Sequence, residues 1–269
     1  MDWAKTRRIS QWKVMQMPHE EEEIEIPMES GFNLSRLMIA DGTSEGGLSN
    51  VIISRTGSGK TEWLKRMIND SRYLEDTGFQ NKIVYISPKE EDILGATMVN
   101  QPEDMVKVLE KSDLVVYIPS PEDYNADVDR AIEKVFEMKN DVPMNGDDIV
   151  SYHIVLDDAS IFLSAQKPPS AAMKKLIIAG RGKNVKGSIV LHRFNQVPRL
   201  VSGNLGDLVI MSVANTDLDL TERLFAFRLD DVADDLNNYR WAYVDLLQNN
   251  PTPVRYAGIT PVGYDFPLL

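Results

Sequence analysis

The chain has 269 residues, enough for one large domain or two small ones with a substantial core. Its 43% apolar and 26% charged residues are globular values, and no signal-peptide pattern or run of about 18 apolar residues occurs, which excludes a helical membrane span and sets the expectation of a cytoplasmic protein. With no cysteine there are no disulfides or thiolate metal sites, the three histidines (His19, His153, His192) make no zinc pattern, and a net charge of −12 excludes a surface that is basic throughout.

Residues 1–30 read as an N-terminal strap or arm. Basic residues (Lys5, Arg7, Arg8, Lys13) give way to the acidic run Glu20–Glu23, and Ile24-Glu25-Ile26 alternates as a short edge strand ended by Pro27. Gly42, Gly46 and Gly47 mark a loop, followed by a strand over 50–54 and a helical pattern over 62–68. The next strand is 82–87. A helix over 102–111 carries Met105, Val106, Val108 and Leu109, and a strand covers 114–119. Pro121 opens a long helix to about Asn140, with Val128, Ile132, Val135 and Phe136 on one face. After a loop over 141–148 come strand 151–157, helix 169–180, and strands 187–192 and 207–213. Helices near 217–226 and 229–238 precede a late strand over 240–244, and 249–269, with four prolines, reads as an irregular tail. Strands alternating with helices predict an α/β fold, a mostly parallel sheet with helices on both faces, built from a core over 31–248 between the strap and the tail.

Chemistry concentrates first at Ser54-Arg55-Thr56-Gly57-Ser58-Gly59-Lys60-Thr61, between the apolar run Val51–Ile53 and the helical pattern. Strand, glycine-bearing loop, Lys-Thr, helix is the layout of a phosphate-binding loop. Backbone N–H groups of Thr56 to Thr61 surround the phosphates, Lys60 reaches the β/γ oxygens, and the Thr61 hydroxyl ligates Mg²⁺. Ser54 stands where the pattern G-x-x-x-x-G-K-[ST] has its first Gly; that position ends the strand, where a small residue is enough.

Hydrolysis needs in addition an acid for Mg²⁺ and a group that orients water. The strand His153-Ile154-Val155-Leu156 ends in Asp157-Asp158, at the sheet's carboxyl edge where ligands of such folds bind. Asp157 is the candidate to hold Mg²⁺ through its water shell, and Asp158 the candidate to polarise the attacking water. The next strand ends in His192, placed either to contact γ-phosphate or water as a polar sensor or simply to be hydrogen-bonded at a strand end. Arg181, in Ala179-Gly180-Arg181-Gly182-Lys183, is a candidate to stabilise phosphoryl-transfer charge from a neighbouring protomer, with Arg193 and Arg223 in reserve; an arginine at a helix C-terminus is also favourable through the dipole alone. No acid occurs between Asp158 and Asp207, so those 48 residues carry +8 and the other 221 carry −20. Lys174, Lys175, Lys183 and Lys186 in this island are candidate nucleic-acid contacts.

Together these blocks resemble the HerA–FtsK superfamily of ATP-driven DNA pumps, RecA-like (ASCE) P-loop NTPases. Thr56–Thr61 is similar to its T-G-S-G-K-[ST] loop. Gly180 to Arg193 resembles its G-R-[HK]-x-x-[GN]-[IV] turn leading into a strand that ends in Gln-Arg, with Gly182 in place of His or Lys and His192 in place of Gln. Val197-Pro198-Arg199-Leu200 and Gly206-Asp207-Leu208-Val209-Ile210 continue the likeness, and Tyr239–Val244 with Val254-Arg255-Tyr256 looks like the closing hairpin. The resemblance spans about residues 45–260 and looks nearest to the viral genome-packaging branch. It implies ATP and Mg²⁺ as ligands, a homo-oligomer in the form of a hexameric ring with ATP sites between subunits, double-stranded DNA in the pore, and a capsid or portal protein as partner, with the ring docked at a capsid vertex in an infected cell. Two other readings stay open: a related pump serving a plasmid, conjugation or DNA-processing system, and a nucleotide-gated assembly protein that hydrolyses ATP slowly.

Overall fold

A computed structural model describes residues 49–72, 79–141, 149–212, 220, 241–246 and 254–256. The expected strap, the helices near 217–226 and 229–238, the tail from 257 onward and Arg223 lie outside the described residues, Leu220 apart.

The first strand, β1 (Ser49–Ile53), is buried at every residue and runs into the phosphate loop and α1 (Lys60–Arg72). There follow β2 (Phe79–Ile86), β3 (Thr97–Val99), α2 (Pro102–Leu109), β4 (Leu114–Tyr117), α3 (Tyr124–Asp141) and β5 (Ile149–Leu156). The chain continues through α4 (Ala171–Lys174), β6 (Val185–Leu191), α5 (Arg199–Ser202), β7 (Leu205–Ile210), β8 (Trp241–Asp245) and β9 (Val254–Tyr256). Among the described residues these make one nine-stranded sheet in the order β3-β4-β2-β5-β6-β1-β7-β8-β9. Seven strands are parallel; β8 and β9 add an antiparallel edge, the hairpin that the resemblance implies. β1, β6 and β7 are buried along their whole length, which apolar strands achieve only when both sheet faces are covered.

The order fixes the site. β6 lies between β1, which feeds the phosphate loop, and β5, which ends in the acid pair. Parallel pairing brings the carboxyl ends of β1, β5 and β6 to one edge, so residues 54–61, 157–158 and 192 converge although the sequence spreads them over more than a hundred positions.

The core is built from the expected apolar faces. Met105 and Leu109 of α2 and Val128, Ile132, Val135 and Phe136 of α3 are all buried in it. Trp63 of α1 meets Trp241 of β8 edge to face, with ring centroids 5.4 Å apart. α3 starts at Tyr124, three residues after Pro121, and its first turn is tied down by Asp127, which accepts from the Ser120 N–H at 2.7 Å.

The expected helix over 169–180 takes a different form. It begins after Ser170, whose hydroxyl accepts from the Met173 N–H, runs four residues as α-helix, and then widens into a π turn over Lys175–Ala179. The π turn ends in close packing: a Cβ on Gly180 would stand 2.3 Å from the Val185 carbonyl oxygen and 2.5 Å from that of Leu176. The chain therefore turns tightly through Arg181–Lys183, with Asn184 at φ 52° in the left-handed region that asparagine tolerates, and enters β6 at Val185, two residues earlier than expected. β3 is a short edge strand that periodicity does not reveal, since its three residues are exposed or half-buried.

Candidate active site

The phosphate loop is hung from its neighbours by backbone bonds. Ser54 N–H donates to the Leu191 carbonyl at the end of β6, and Arg55 N–H to that of Ser212, just past β7, each at 3.0 Å. Gly57 and Gly59 take φ of 80° and 84°, which a side chain would strain. The Ser54 and Ser58 hydroxyls are hydrogen-bonded across the loop, so serine at the strand end serves as a brace where the general pattern has glycine. Helix α1 then starts at Lys60, with its first free N–H groups facing the loop.

Lys60 is 9% exposed, and its ammonium lies 2.8 Å from Asp158 Oδ1 and 3.2 Å from Asp157 Oδ1. Asp157 is the more enclosed acid. Its Oδ2 accepts from the Tyr85 hydroxyl at 2.8 Å and its Oδ1 from the Asp158 N–H at 2.9 Å. Burial, with the charge and hydrogen bond of Asp157 behind it, pushes the Tyr85 phenol far up, so it remains a donor.

Asp158 sits at φ 47° and is held at both oxygens. His192 Nε2 stands 2.7 Å from Oδ1, the oxygen also held by Lys60, while Lys89 Nζ is 2.6 Å from Oδ2. Burial by itself would raise this carboxyl; hydrogen bonds and charges from Lys60 and Lys89 outweigh it and hold the group well below the usual carboxylate range. The other ring nitrogen of His192 lies 3.3 Å from the Ser54 carbonyl oxygen, so the imidazole spans from the phosphate loop to the acid. Behind it, Gln196 Oε1 accepts from the backbone N–H groups of His192 and Arg193. A cleft of about 490 Å³ opens beside these turns, lined by Ser160, Ser164, Gln166, Arg193, Asn195 and Gln196.

Lys60, Asp157, Asp158 and His192, singled out in the sequence, are thus one cluster. Thr56, Gly57, Ser58, Gly59 and Thr61 complete the loop beside it. The fit to a Mg²⁺-bound triphosphate rests on the donor set: glycines at positive φ and a fresh helix N-terminus for phosphate, a buried lysine, and the Thr61 hydroxyl with Asp157 as oxygen ligands for a hard cation. Lys89, Tyr85 and Gln196 also belong here, and sequence reading passes over all three. For Lys89 a signal existed: it follows the end of β2, at the same sheet edge as the acid pair.

The basic island divides. Lys174 and Lys183 are exposed, whereas Lys175 pairs with Glu133 and lies over the Phe136 ring at 4.7 Å from its centroid. Lys186 departs from the expected role of a nucleic-acid contact. It is 1% exposed, inside β6, and its ammonium is 3.3 Å from Asp207 Oδ2, whose other oxygen accepts from the Tyr243 hydroxyl at 2.6 Å. A side chain sealed in the sheet contacts no nucleic acid. Of Arg181 only the backbone is described, opening the turn into β6; its side chain lies outside the described part.

No family model matches the chain, and no curated protein matches it in sequence. Among solved structures it is similar to the genome packaging NTPase B204 of Sulfolobus turreted icosahedral virus 2 in complex with AMPPCP, at 12% identity and a TM-score of 0.60 over 79% of this chain and 98% of that one. The same NTPase in complex with ATP-gammaS gives 12% identity and 0.62, over 77% and 96%. VirB4 of Thermoanaerobacter pseudethanolicus gives 11% identity and 0.54, over 78% and 89%. At such identities the likeness is one of fold, and with the site above it bears out the fold that the motifs imply: the chain has the fold of a P-loop NTPase of the ASCE type.

Proposed function

We propose that the protein is an ATP-driven translocase of double-stranded DNA that packages a viral genome into a capsid. The observation that carries the reading is the convergence of Lys60, Asp157, Asp158 and His192 at one sheet edge, in a fold that covers nearly the whole of a genome packaging NTPase. ATP is the substrate. Mg²⁺ held by Thr61 and Asp157 would neutralise charge developing on the phosphates. Lys60 holds the phosphates, Asp158 accepts a hydrogen bond from the attacking water, and His192 ties that acid to the phosphate loop. Arg181, from a neighbouring subunit of a hexameric ring, is proposed to stabilise the transferring group.

DNA in the pore needs cations only where it passes, which a chain of net charge −12 can supply locally. The exposed Lys174 and Lys183 support that part, with Arg193 at the rim of the polar cleft. A capsid or portal protein is the expected docking partner, at the capsid vertex of an infected cell.

The test is ATP hydrolysis with and without duplex DNA. DNA stimulates turnover, Lys60→Ala abolishes it, and rings appear by electron microscopy. An obligate monomer with DNA-indifferent turnover would sink the proposal. Asp158→Asn separates a motor from a slow nucleotide-gated assembly protein: the motor loses nearly all turnover, the assembly protein barely changes.

A further inference from the structure

Lys89 belongs to the charged segment Lys89-Glu90-Glu91-Asp92 that follows β2. The sheet order places β2 beside β5, and the segment arrives next to the acid pair. The Lys89 ammonium is 2.6 Å from Asp158 Oδ2, the oxygen that Lys60 and His192 leave alone. The three cationic or imidazole partners of Asp158 are unequal. Lys60 is enclosed at the first turn of α1 and is required by phosphates whenever they fill the loop. His192 is tied to the Ser54 carbonyl. The Lys89 side chain is 56% exposed and rooted in that segment.

A second acid is at hand for it. Glu91, two residues on, has its Oε2 buried without a hydrogen-bond partner, and its negative charge acts on the Lys89 ammonium. A buried carboxylate oxygen left without a donor is costly, and an arriving ammonium removes that cost.

We propose that Lys89 is a positioning residue that latches Asp158: paired with Oδ2 it keeps that oxygen from the attacking water, and moving to Glu91 it releases the oxygen to accept from water. The proposal rests on the ATPase reading, in which Asp158 is the acid facing water. Lys60 and His192 already share Oδ1, and with Lys89 on Oδ2 three of the carboxylate's roughly four acceptor positions are taken, which leaves little for water. When phosphates draw Lys60 off Oδ1, the Lys89 pair is the remaining cationic hold on the acid.

The readout is basal ATP turnover of the full chain without DNA. Lys89→Ala raises kcat about two- to fivefold, the weight of an ion pair with a half-exposed lysine, and leaves KM for ATP within roughly a factor of two. Lys89→Arg, which keeps the pair, stays at the wild-type rate, and Glu91→Gln, which removes the receiving charge, lowers it. A Lys89→Ala turnover at or below wild type overturns the latch. A wild-type chain without any turnover would defeat the ATPase reading instead, so the contact is also read without catalysis. A lysine ammonium ¹⁵N NMR signal assigned by its loss in Lys89→Ala is present in wild type and lost in Asp158→Asn; its persistence in Asp158→Asn overturns the proposal.

Discussion

Two residues of one type, Lys60 and Lys186, show how position decides what a buried cation does. Both are enclosed and both face carboxylates, but Lys60 stands where a loop of free N–H groups can receive an anion, and Lys186 is locked between sheet strands with Asp207 and Tyr243. Lys186→Met leaves Asp207 buried without its cation and is expected to cost about 3–5 kcal/mol, read as a lower denaturant midpoint, while DNA affinity of the folded fraction stays unchanged. Loss of DNA affinity at unchanged stability would restore Lys186 as a contact. At Asp157 the Tyr85 hydroxyl holds the carboxylate proposed to serve Mg²⁺. Tyr85→Phe should raise the Mg²⁺ concentration for half-maximal turnover roughly tenfold, the usual weight of an outer-shell partner, and lower the melting temperature by a few degrees because Asp157 Oδ2 loses its donor. The misplacement of Lys186 is itself instructive. A strand read from apolar residues starts at 187, whereas pairing of His153 with Lys186 and of Tyr152 with Val185 carries β6 two residues further back. A lysine just before an apolar run looks like loop; only the partner strand makes it core.

At the level of elements, α4 and its π turn deliver Gly180, Arg181 and Asn184 in a shape that tolerates little change. Gly180→Ala would drive a methyl into two backbone carbonyl oxygens, neither of which can rotate away. It should cost several kcal/mol, on the scale of about 3 or more for an overpacked backbone contact, and appear as poor soluble yield or a strongly lowered melting temperature. Normal stability of that variant would show that the turn relaxes. The start of α3 depends on Asp127, which is buried and bonded to the Ser120 N–H and the Arg130 guanidinium. Burial opposes its ionisation, yet those bonds hold its carboxyl below the ordinary value. A depressed carboxyl contributes stability that is fully present above its unfolded value and is lost as pH falls from about 4 towards the folded value. Asp127→Asn should therefore flatten the acid limb of the stability profile, measured by denaturant titration from pH 7 to pH 3. Neither feature announces itself in sequence: the partners lie only three to seven residues away, but the contacts depend on backbone conformation that residue type alone does not reveal.

Over the whole molecule, alternation of strand and helix, the phosphate loop and the acid pair are legible because each is a local pattern. Sheet order is not local, and with it goes the knowledge that Tyr85 of β2 and Lys89 just after it attend the acids of β5. Charge is legible only as a sum. Of the eight cations in the island, once folded, Lys186 is sealed with Asp207, Lys175 pairs with Glu133, Lys167, Lys174, Lys183, Arg193 and Arg199 are exposed, and the Arg181 side chain lies outside the described part. If Lys174 and Lys183 touch DNA phosphates, changing either to Ala reduces the slope of log affinity against log salt by about one. An unchanged slope at both positions moves the DNA contact elsewhere on the chain.

The strand order also sets a gauge. With β6 interposed, the tips of β1 and β5 are two strand spacings apart, about 10 Å, too far for the phosphate loop's backbone to meet the acids. The distance is closed by one long aliphatic stem, that of Lys60, and by an imidazole standing on the intervening strand. Anything that lifts or tilts the tip of β6 therefore changes the two reaches together. The strand that contributes no acid and no loop glycine is the one whose small displacements the chemistry would register most sharply.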